Sequence, residues 1–446
     1  MRRVFILILM IAGLGLSAQK KWSLRECVDY AVENNLQVIQ NEYSKQIQDA
    51  NLKIAKRSYL PSVNASIINN VSFGQASLGT GSIRNDRFSN NVNIGADMLL
   101  FNYGRLGKIV RKTQYDVEAS QFDIETIKND ISLQIAQQYL NTLLNKAIVK
   151  IAQSATENAK KQYDRATITT DVGTTAQTVK AEAQAAWARE KQNLKTAEVN
   201  VGRSLFALAQ ILQLEDYKNF DIDNVEVGDQ LSPQLVSTDE VLKTAYENQP
   251  QIKAAQSRIK SAEAQTTVTR TAFWPSITAN VGFGNFYNNL LNSNNTGSTA
   301  FSVSERSFFQ QYSDNFGQQG GIAVSIPIFN KGVTRLQVEQ AKINENVAKA
   351  TFEQQKLTIR QNVQQAQFDT DANYEIYLAA VEAEKSTKLS LDFAEKSFGA
   401  GRSTIFDVNI ARNNYANAQG SVEQAKYNYL FSLKLLNFYA GVPLSL

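Results

Sequence analysis

The side chains that most often do chemistry are nearly missing from this chain. Its 446 residues include no His and a single Cys, Cys27. Without His, the commonest general base, the commonest zinc ligand and any Ser–His–Asp arrangement are lost. One Cys permits neither an intrachain disulfide nor a Cys-built metal cluster. Cys27 stands in Leu24-Arg25-Glu26-Cys27 and reads as a small apolar helix residue. The formal charge is +4, from 46 Lys and Arg against 42 Asp and Glu. That balance lacks the basic excess of a nucleic-acid binder. No clustered acid–base set stands in for His, so no enzyme, metal or cofactor is expected. What remains is a set of aromatic rings at corners of the chain: Tyr59, Phe101, Phe273, Trp274 and Phe329. Such rings do interfacial rather than covalent chemistry, collecting where a membrane meets water.

The corners join two kinds of element. The chain has only six Pro, none between 62 and 232 and none between 328 and 442. From Gly107 to Gly173, and again from Gly332 to Gly399, there is neither Gly nor Pro. Such runs predict very long helices, since average chains carry roughly 7 % Gly and 5 % Pro. A helix over 105–168 would reach ~95 Å, too long to be buried in one globular core. It must pack sideways against partners. In 331–398 the expected seam residues are Val338, Ala341, Val347, Ala348, Ala350, Phe352, Leu357 and Val363. The strict Leu or Ile seam of a fibrous coiled coil is absent.

The other elements are strands. Val92, Ile94, Ala96, Met98 and Leu100 alternate with polar or small residues, as do Ile277, Ala279, Val281 and Phe283. Ile322, Val324, Ile326 and Ile328 do the same, and 62–73 follows less regularly. One face is apolar; the other is Asn, Ser, Thr and Gly with one acid, Asp97. Each strand has about the ~9–11 residues of a tilted membrane strand. The aromatics fall at all four helix–strand junctions, which predicts a girdle at one membrane interface. The loops 74–87 and 284–320 are expected on the outside, the second as a partly ordered lid carrying Phe301, Phe308, Phe309 and Tyr312.

The pattern occurs twice. Ala31-Val32-Glu33-Asn34 and Leu60-Pro61-Ser62 return as Ala245-Tyr246-Glu247-Asn248 and Trp274-Pro275-Ser276; Leu100-Phe101-Asn102-Tyr103-Gly104 returns as Ile328-Phe329-Asn330-Lys331-Gly332. The expected organisation is a signal peptide over 1–18, repeat 1 over 19–215, a linker over 216–237 and repeat 2 over 238–446. The leader rests on Arg2-Arg3, an apolar run Val4–Leu16 and Ser17-Ala18. First helices are expected over 24–58 and 238–272, with Asn248 and Pro250 restarting the second. Four strands cannot close a membrane barrel alone, and lipid leaves no backbone group unpaired. Copies must pool their strands. Two would leave little lumen; three give twelve strands and room for an aqueous path.

The doubled unit, the Leu-Pro-Ser and Trp-Pro-Ser strand starts, the Pro327-to-Gly332 exit and Phe398-Gly399-Ala400-Gly401 followed by Asp407-Val408 resemble the outer-membrane efflux protein family, the TolC-like proteins. The resemblance covers nearly the whole mature chain. It implies a mainly α fold with membrane β: a homotrimeric twelve-stranded barrel, four strands per chain, continued by a long periplasmic helical barrel. It also implies an outer-membrane exit duct in a tripartite efflux or type I secretion system. The implied partners are a periplasmic adaptor, an inner-membrane pump and outer-membrane lipid, with no nucleic acid and no cofactor. The alternative is a non-transport structural or adhesin-like helical protein. The family closes its periplasmic tip with helix links and aspartates. Asp407, six residues after Gly401, matches one; a second, three residues on, falls on Ile410. A tip tyrosine falls on Phe398 and a tip arginine on Ser403, beside Arg402. Asp171, next to Gly173, is a further nominated acid. The tips 168–175 and 398–405 are expected to meet the adaptor.

Overall fold

The computed structural model describes residues 21–78, 81–225, 228, 231–232, 237–291 and 306–442. The expected leader lies outside them, as does Phe301. In chain order the elements are β1 (Lys21–Trp22), α1 (Leu24–Asn34), α2 (Leu36–Arg57), β2 (Ser62–Ser72), β3 (Gln75–Leu78), β4 (Gly81–Arg84), β5 (Arg87–Phe101) and α3 (Arg105–Asp171). They continue with α4 (Gln177–Ile211), β6 (Asp221–Ile222), α5 (Thr238–Asn248), α6 (Pro250–Arg270), β7 (Ser276–Leu290), α7 (Phe308–Asp314), β8 (Gly317–Ser325), α8 (Val333–Gly399) and α9 (Ile405–Tyr439). The two Gly- and Pro-free runs fall within helices of 67 residues each, α3 and α8, on the order of 100 Å long. Each is followed by a helix of 35 residues, α4 or α9.

The chain divides into two compact units. One comprises Met1–Ser44, Ser120–Ala255 and Phe352–Leu446; the other comprises Lys45–Ala119 and Gln256–Thr351. The first unit holds the apolar core. Cys27 and Ala31 on α1 pack against Ile135 and Tyr139 on α3, Leu208 on α4 and Ile222, all fully buried. Burial, then Glu26 and Asp223, push the Cys27 thiol up to about 12, so it stays a neutral packing group. β1 and β6 form a two-residue parallel bridge, and the Tyr139 hydroxyl lies 3.2 Å from the Trp22 carbonyl at its edge. Lys146 fastens the β6 side through Asp221 Oδ1 at 2.6 Å and the Ile222 carbonyl at 2.8 Å. A second cluster joins Val241, Ala245, Ile252, Ile359, Val363 and Leu436.

The first helix of the chain is not continuous over 24–58. It breaks at Asn35, whose side chain accepts the Gln37 amide at 2.8 Å, and α2 starts anew. The counterpart break falls at Gln249, with Pro250 as the first residue of α6 and Asn248 the last of α5. Pro suits that place because a first-turn amide has no helical acceptor.

The second unit holds a four-stranded antiparallel sheet, order β2-β5-β7-β8. Its helix interior is built from small and hydroxyl-bearing residues. Ala264, Thr266, Val268 and Ala341 are buried, and Ser261 Oγ donates to Asp116 Oδ1 at 2.5 Å. Two boundaries correct the sequence pattern. The apolar alternation runs through Ile328, but β8 ends at Ser325, because Pro327 has no amide to give a ladder. The outer segments are not plain loops: β3 and β4 form a hairpin within 74–87, β7 runs on to Leu290, and α7 lies within 306–315.

Candidate functional site

Alternation along β5 and the cross-strand register give the sheet two unlike faces. Val63, Ala96 and Val281 form one row, Ala65, Ile94 and Phe283 the next, and Ala279 and Ile322 share a third. Between these rows lie rows of the opposite face: Ser62, Asp97, Asn280 and Gly321, then Asn64, Gly95, Gly282 and Gln319. Asp97 accepts the Ser62 hydroxyl at 2.7 Å on this polar face. Many of the apolar side chains lie open: Val63 and Ile67 are each 68 % exposed and Ile322 is 70 %. Every residue of β2 and β8, the two edge strands, is exposed. Neither carries a Pro, a Lys or any other charged residue that would blunt an open edge.

The five corner aromatics all lie in the second unit and all are exposed. Tyr59, Phe101, Phe273 and Trp274 show about half their surface, and Phe329 shows 85 %. Trp274 carries a partner that the spacing alone did not reveal, Tyr103, stacked at 4.1 Å with the rings nearly parallel. Tyr103 holds that place because the turn into α3 takes two left-handed residues, Tyr103 and Gly104. Lys331 and Gly332 do the same before α8. Asn102 Oδ1 then accepts the Arg105 amide at 2.9 Å and starts the helix.

The helix tips lie in the first unit. At the α8–α9 turn, Gly401 takes φ +71°, and the Arg402 amide reaches back to the Ser397 carbonyl at 2.9 Å. This is a C-terminal cap that closes α8 and lets α9 begin four residues later. Thr404 caps α9, with its amide at 2.9 Å and its hydroxyl at 2.8 Å donating to Asp407 Oδ2, while the Asp407 amide donates back at 3.3 Å. Asp407 is thus the acid of a capping box. The Thr404 amide, then its hydroxyl, hold the Asp407 carboxyl below the usual carboxylate range. Phe398 lies against a small cluster of Leu391, Ile405, Val408 and Ala411. Ser403 Oγ reaches the Ala394 carbonyl at 3.5 Å, and Arg402 is exposed. Ile410 is exposed as well.

At the α3–α4 turn, Gly173 takes φ +77°. Asp171 is not a bare acid there: Lys180 Nζ lies 3.1 Å from its Oδ1 across the turn. Thr175 Oγ1 shares hydrogen bonds with Thr169 at 3.0 Å and Thr170 at 2.9 Å. Ala176, at the start of α4, offers no capping side chain. Below the tips, Arg412 and Glu395 pair at 2.6 Å beside a cavity of about 350 Å³ lined also by Lys161 and Tyr415. Among the described residues no group of His, Cys, Asp and Glu could hold a metal, and no helix is long and apolar enough to cross a membrane.

The family model for the outer membrane efflux protein matches residues 28–213 and 241–442, most of the chain. The chain belongs to the outer membrane efflux protein family. This efflux protein is 26 % identical over 310 residues to outer membrane protein TolC of Escherichia coli (strain K12), covering 69 % of this chain and 60 % of that one. The matched region likewise spans 62 % of the Salmonella enteritidis TolC. A TolC from Vibrio cholerae is 21 % identical over 434 residues, 96 % of this chain and 93 % of its own. The fold matches the Campylobacter jejuni CmeC outer membrane channel with a TM-score of 0.71 at 20 % identity, over 96 % of this chain and 90 % of that one. It matches CusC with a TM-score of 0.74 at 16 % identity, over 96 % and 95 %. The efflux protein resides in the outer membrane of the Gram-negative envelope, with its long helices in the periplasm. Its family is one of transport components.

Proposed function

We propose that three copies of this chain pool their sheets into a twelve-stranded barrel. The barrel would be the outer-membrane exit of a tripartite efflux or type I secretion system. The observation that carries it is the pair of open edges. β2 and β8 are exposed along their whole length, uncharged, and run in opposite directions across the four-stranded order. In lipid each edge group needs a partner, and β8 of one copy set beside β2 of the next continues the antiparallel order without a break. The apolar rows then face lipid and the Asp97 row faces water. Exposed apolar residues on the long helices, such as Val347 on α8 at 58 % and Ile54 on α2 at 64 %, supply faces for neighbouring copies. Val338, Ala341 and Val363 are already buried within one chain.

On this reading the tips, with Asp407, Arg402, Ser403, Phe398, Gly401, Asp171 and Gly173, form the periplasmic gate and meet an adaptor. An inner-membrane pump supplies the energy, and no bond is made or broken. Tyr59, Phe101, Phe273, Trp274 and Phe329 form the girdle at the periplasmic interface. The two halves, 19–215 and 238–446 about the linker 216–237, are copies of one unit, and the 67- and 35-residue helices of each half support this. The test is the mass in detergent and the conductance in planar lipid films. A three-chain particle with discrete channel steps is expected. A well-folded single chain without conductance overturns the proposal.

A further inference from the structure

The corner aromatics account for one membrane interface. A second aromatic level stands on the apolar face of the sheet, thirteen residues along each central strand from the corners: Phe88 on β5 relative to Phe101, and Tyr287 on β7 relative to Trp274. Strict alternation keeps Asn90 and Phe88 on the side of Ile94, and Asn285 and Tyr287 on the side of Phe283, with no bulge between. At ~3.3 Å per residue the two levels are about 40 Å apart along the strand. A tilt of ~40° leaves about 30 Å across a bilayer, the spacing expected of two girdles around an apolar band.

The helix α7 is seated at this level. Tyr312 donates its hydroxyl to Asn90 Oδ1, and Asn285 Nδ2 donates to the Tyr312 carbonyl. The Phe308 ring lies 4.9 Å from Tyr287 and 4.5 Å from Tyr312. Here the apolar face turns polar: Asn90 Nδ2 donates to Asn69 Oδ1 at 2.5 Å, just past Ile67. Ser307 and Gln310 form a capping box that fixes the start of the helix. Phe309 meets Phe308 edge-on at 5.5 Å and is still 82 % exposed, the second most exposed aromatic among the described residues after Phe329 at the other level. A large ring held out in this way costs free energy in water and gains it in the headgroup layer.

We propose that α7 is an interfacial anchor, with Phe309 seated in the lipid headgroup layer of the leaflet remote from the periplasmic helices. The proposal rests on the sheet being embedded in lipid. It gives α7 a membrane contact on the outside of the sheet, where a lid over the lumen would sit on the polar face instead. Tyr287, Phe308 and Tyr312 are its foundation, and the Asn90, Asn285 and Tyr312 hydrogen bonds set its height.

The test uses the full chain in phosphatidylcholine vesicles, with and without lipid brominated near the headgroup end of its chains, and acrylamide as the aqueous quencher. The fluorescence gained by Phe309→Trp over wild type reads α7; that lost by Trp274→Phe reads the sheet corner. Both substitutions keep an aromatic ring at an exposed position. Brominated lipid is expected to quench the fluorescence gained with Phe309→Trp about two-fold, with acrylamide having little access. A Phe309→Trp gain open to acrylamide and blind to brominated lipid, while the Trp274 signal is still quenched, overturns the anchor alone. Loss of lipid quenching at both positions overturns the embedded sheet and the anchor with it.

Discussion

The core around Tyr139 and the sheet edges at β2 and β8 answer the same need, the pairing of backbone and the covering of apolar surface, in opposite ways. Around Tyr139 everything is finished within one chain. The ring is fully buried, its hydroxyl meets the Trp22 and Asp223 carbonyls, and Lys146 closes the β6 end. Burial raises the Tyr139 hydroxyl far above the ordinary phenol range, so it stays a neutral donor. At the sheet little is finished: apolar residues such as Val63, Ile67 and Ile322 lie open on one face, and two edges are open. On the proposed assembly, sibling copies supply the pairing and cover that the sheet lacks in a single chain. Tyr139→Ala is expected to have the largest effect, about 3–5 kcal/mol from lost packing and the cavity left behind. Thermal unfolding in detergent measures it. A loss below about 1 kcal/mol would mean that the core borrows its stability from elsewhere.

The sheet side of the comparison is sharpened by moving one charge between its faces. Ile322→Lys places a cation on the apolar face and is expected to cost about 2–4 kcal/mol if that face meets lipid near mid-bilayer. Asn280→Lys, next to Asp97 in the polar row, is expected to stay within about 0.5 kcal/mol. Denaturant titration of vesicle-inserted protein separates the two. Equal costs would remove the distinction between a lipid face and a water face.

Much of this division is legible in the sequence, and the misses have physical causes. Long helices follow from runs without Gly or Pro, and strands from period-two alternation, because both are properties of many residues at once. The bridge of Lys21-Trp22 with Asp221-Ile222 has no period to detect; two residues pair where Tyr139 and Lys146 fasten them. The end of β8 was hidden because side-chain alternation continues past Pro327 although backbone pairing cannot. The helix α7 did leave a signal, Ser307 three residues before Gln310, but within a polar and aromatic stretch that gives no helical face. At the tips, the residue types were readable and their partners were not. Lys180 meets Asp171 nine positions away, across a turn whose geometry depends on Gly173.

The two tips differ in the same sense, on a smaller scale. The α8–α9 tip has a complete capping box, whereas α4 follows Ala176 with no capping side chain, and the hydroxyls of the preceding turn bond one another. Thr404→Ala is therefore expected to cost about 1 kcal/mol, in the range for a lost helix cap. Thr175→Ala removes only the Thr169 and Thr170 contacts of an exposed hydroxyl, so a smaller loss is expected. Hydrogen exchange in the first turns of α9 and α4 reads each directly. A greater loss from Thr175→Ala would invert the ranking of the tips.

The box also makes one tip sensitive to pH and leaves the other without an equivalent acid in its first turn. The Asp407 carboxyl sits below its ordinary value because the Thr404 amide, then the Thr404 hydroxyl, donate to its charged form. A folded-state value below the unfolded one means that the folded chain binds protons less readily. The contribution is therefore fully present above the unfolded value of ~3.9 and is lost as pH falls through the lower, folded one. Asp407→Asn keeps the shape and an acceptor oxygen but removes the charge. The difference in unfolding midpoint between wild type and this variant should be constant from pH 8 to about 5 and shrink below about 4. A difference that persists undiminished at low pH would mean that the charge of Asp407 plays no part in holding the turn. The box would then be a matter of shape alone.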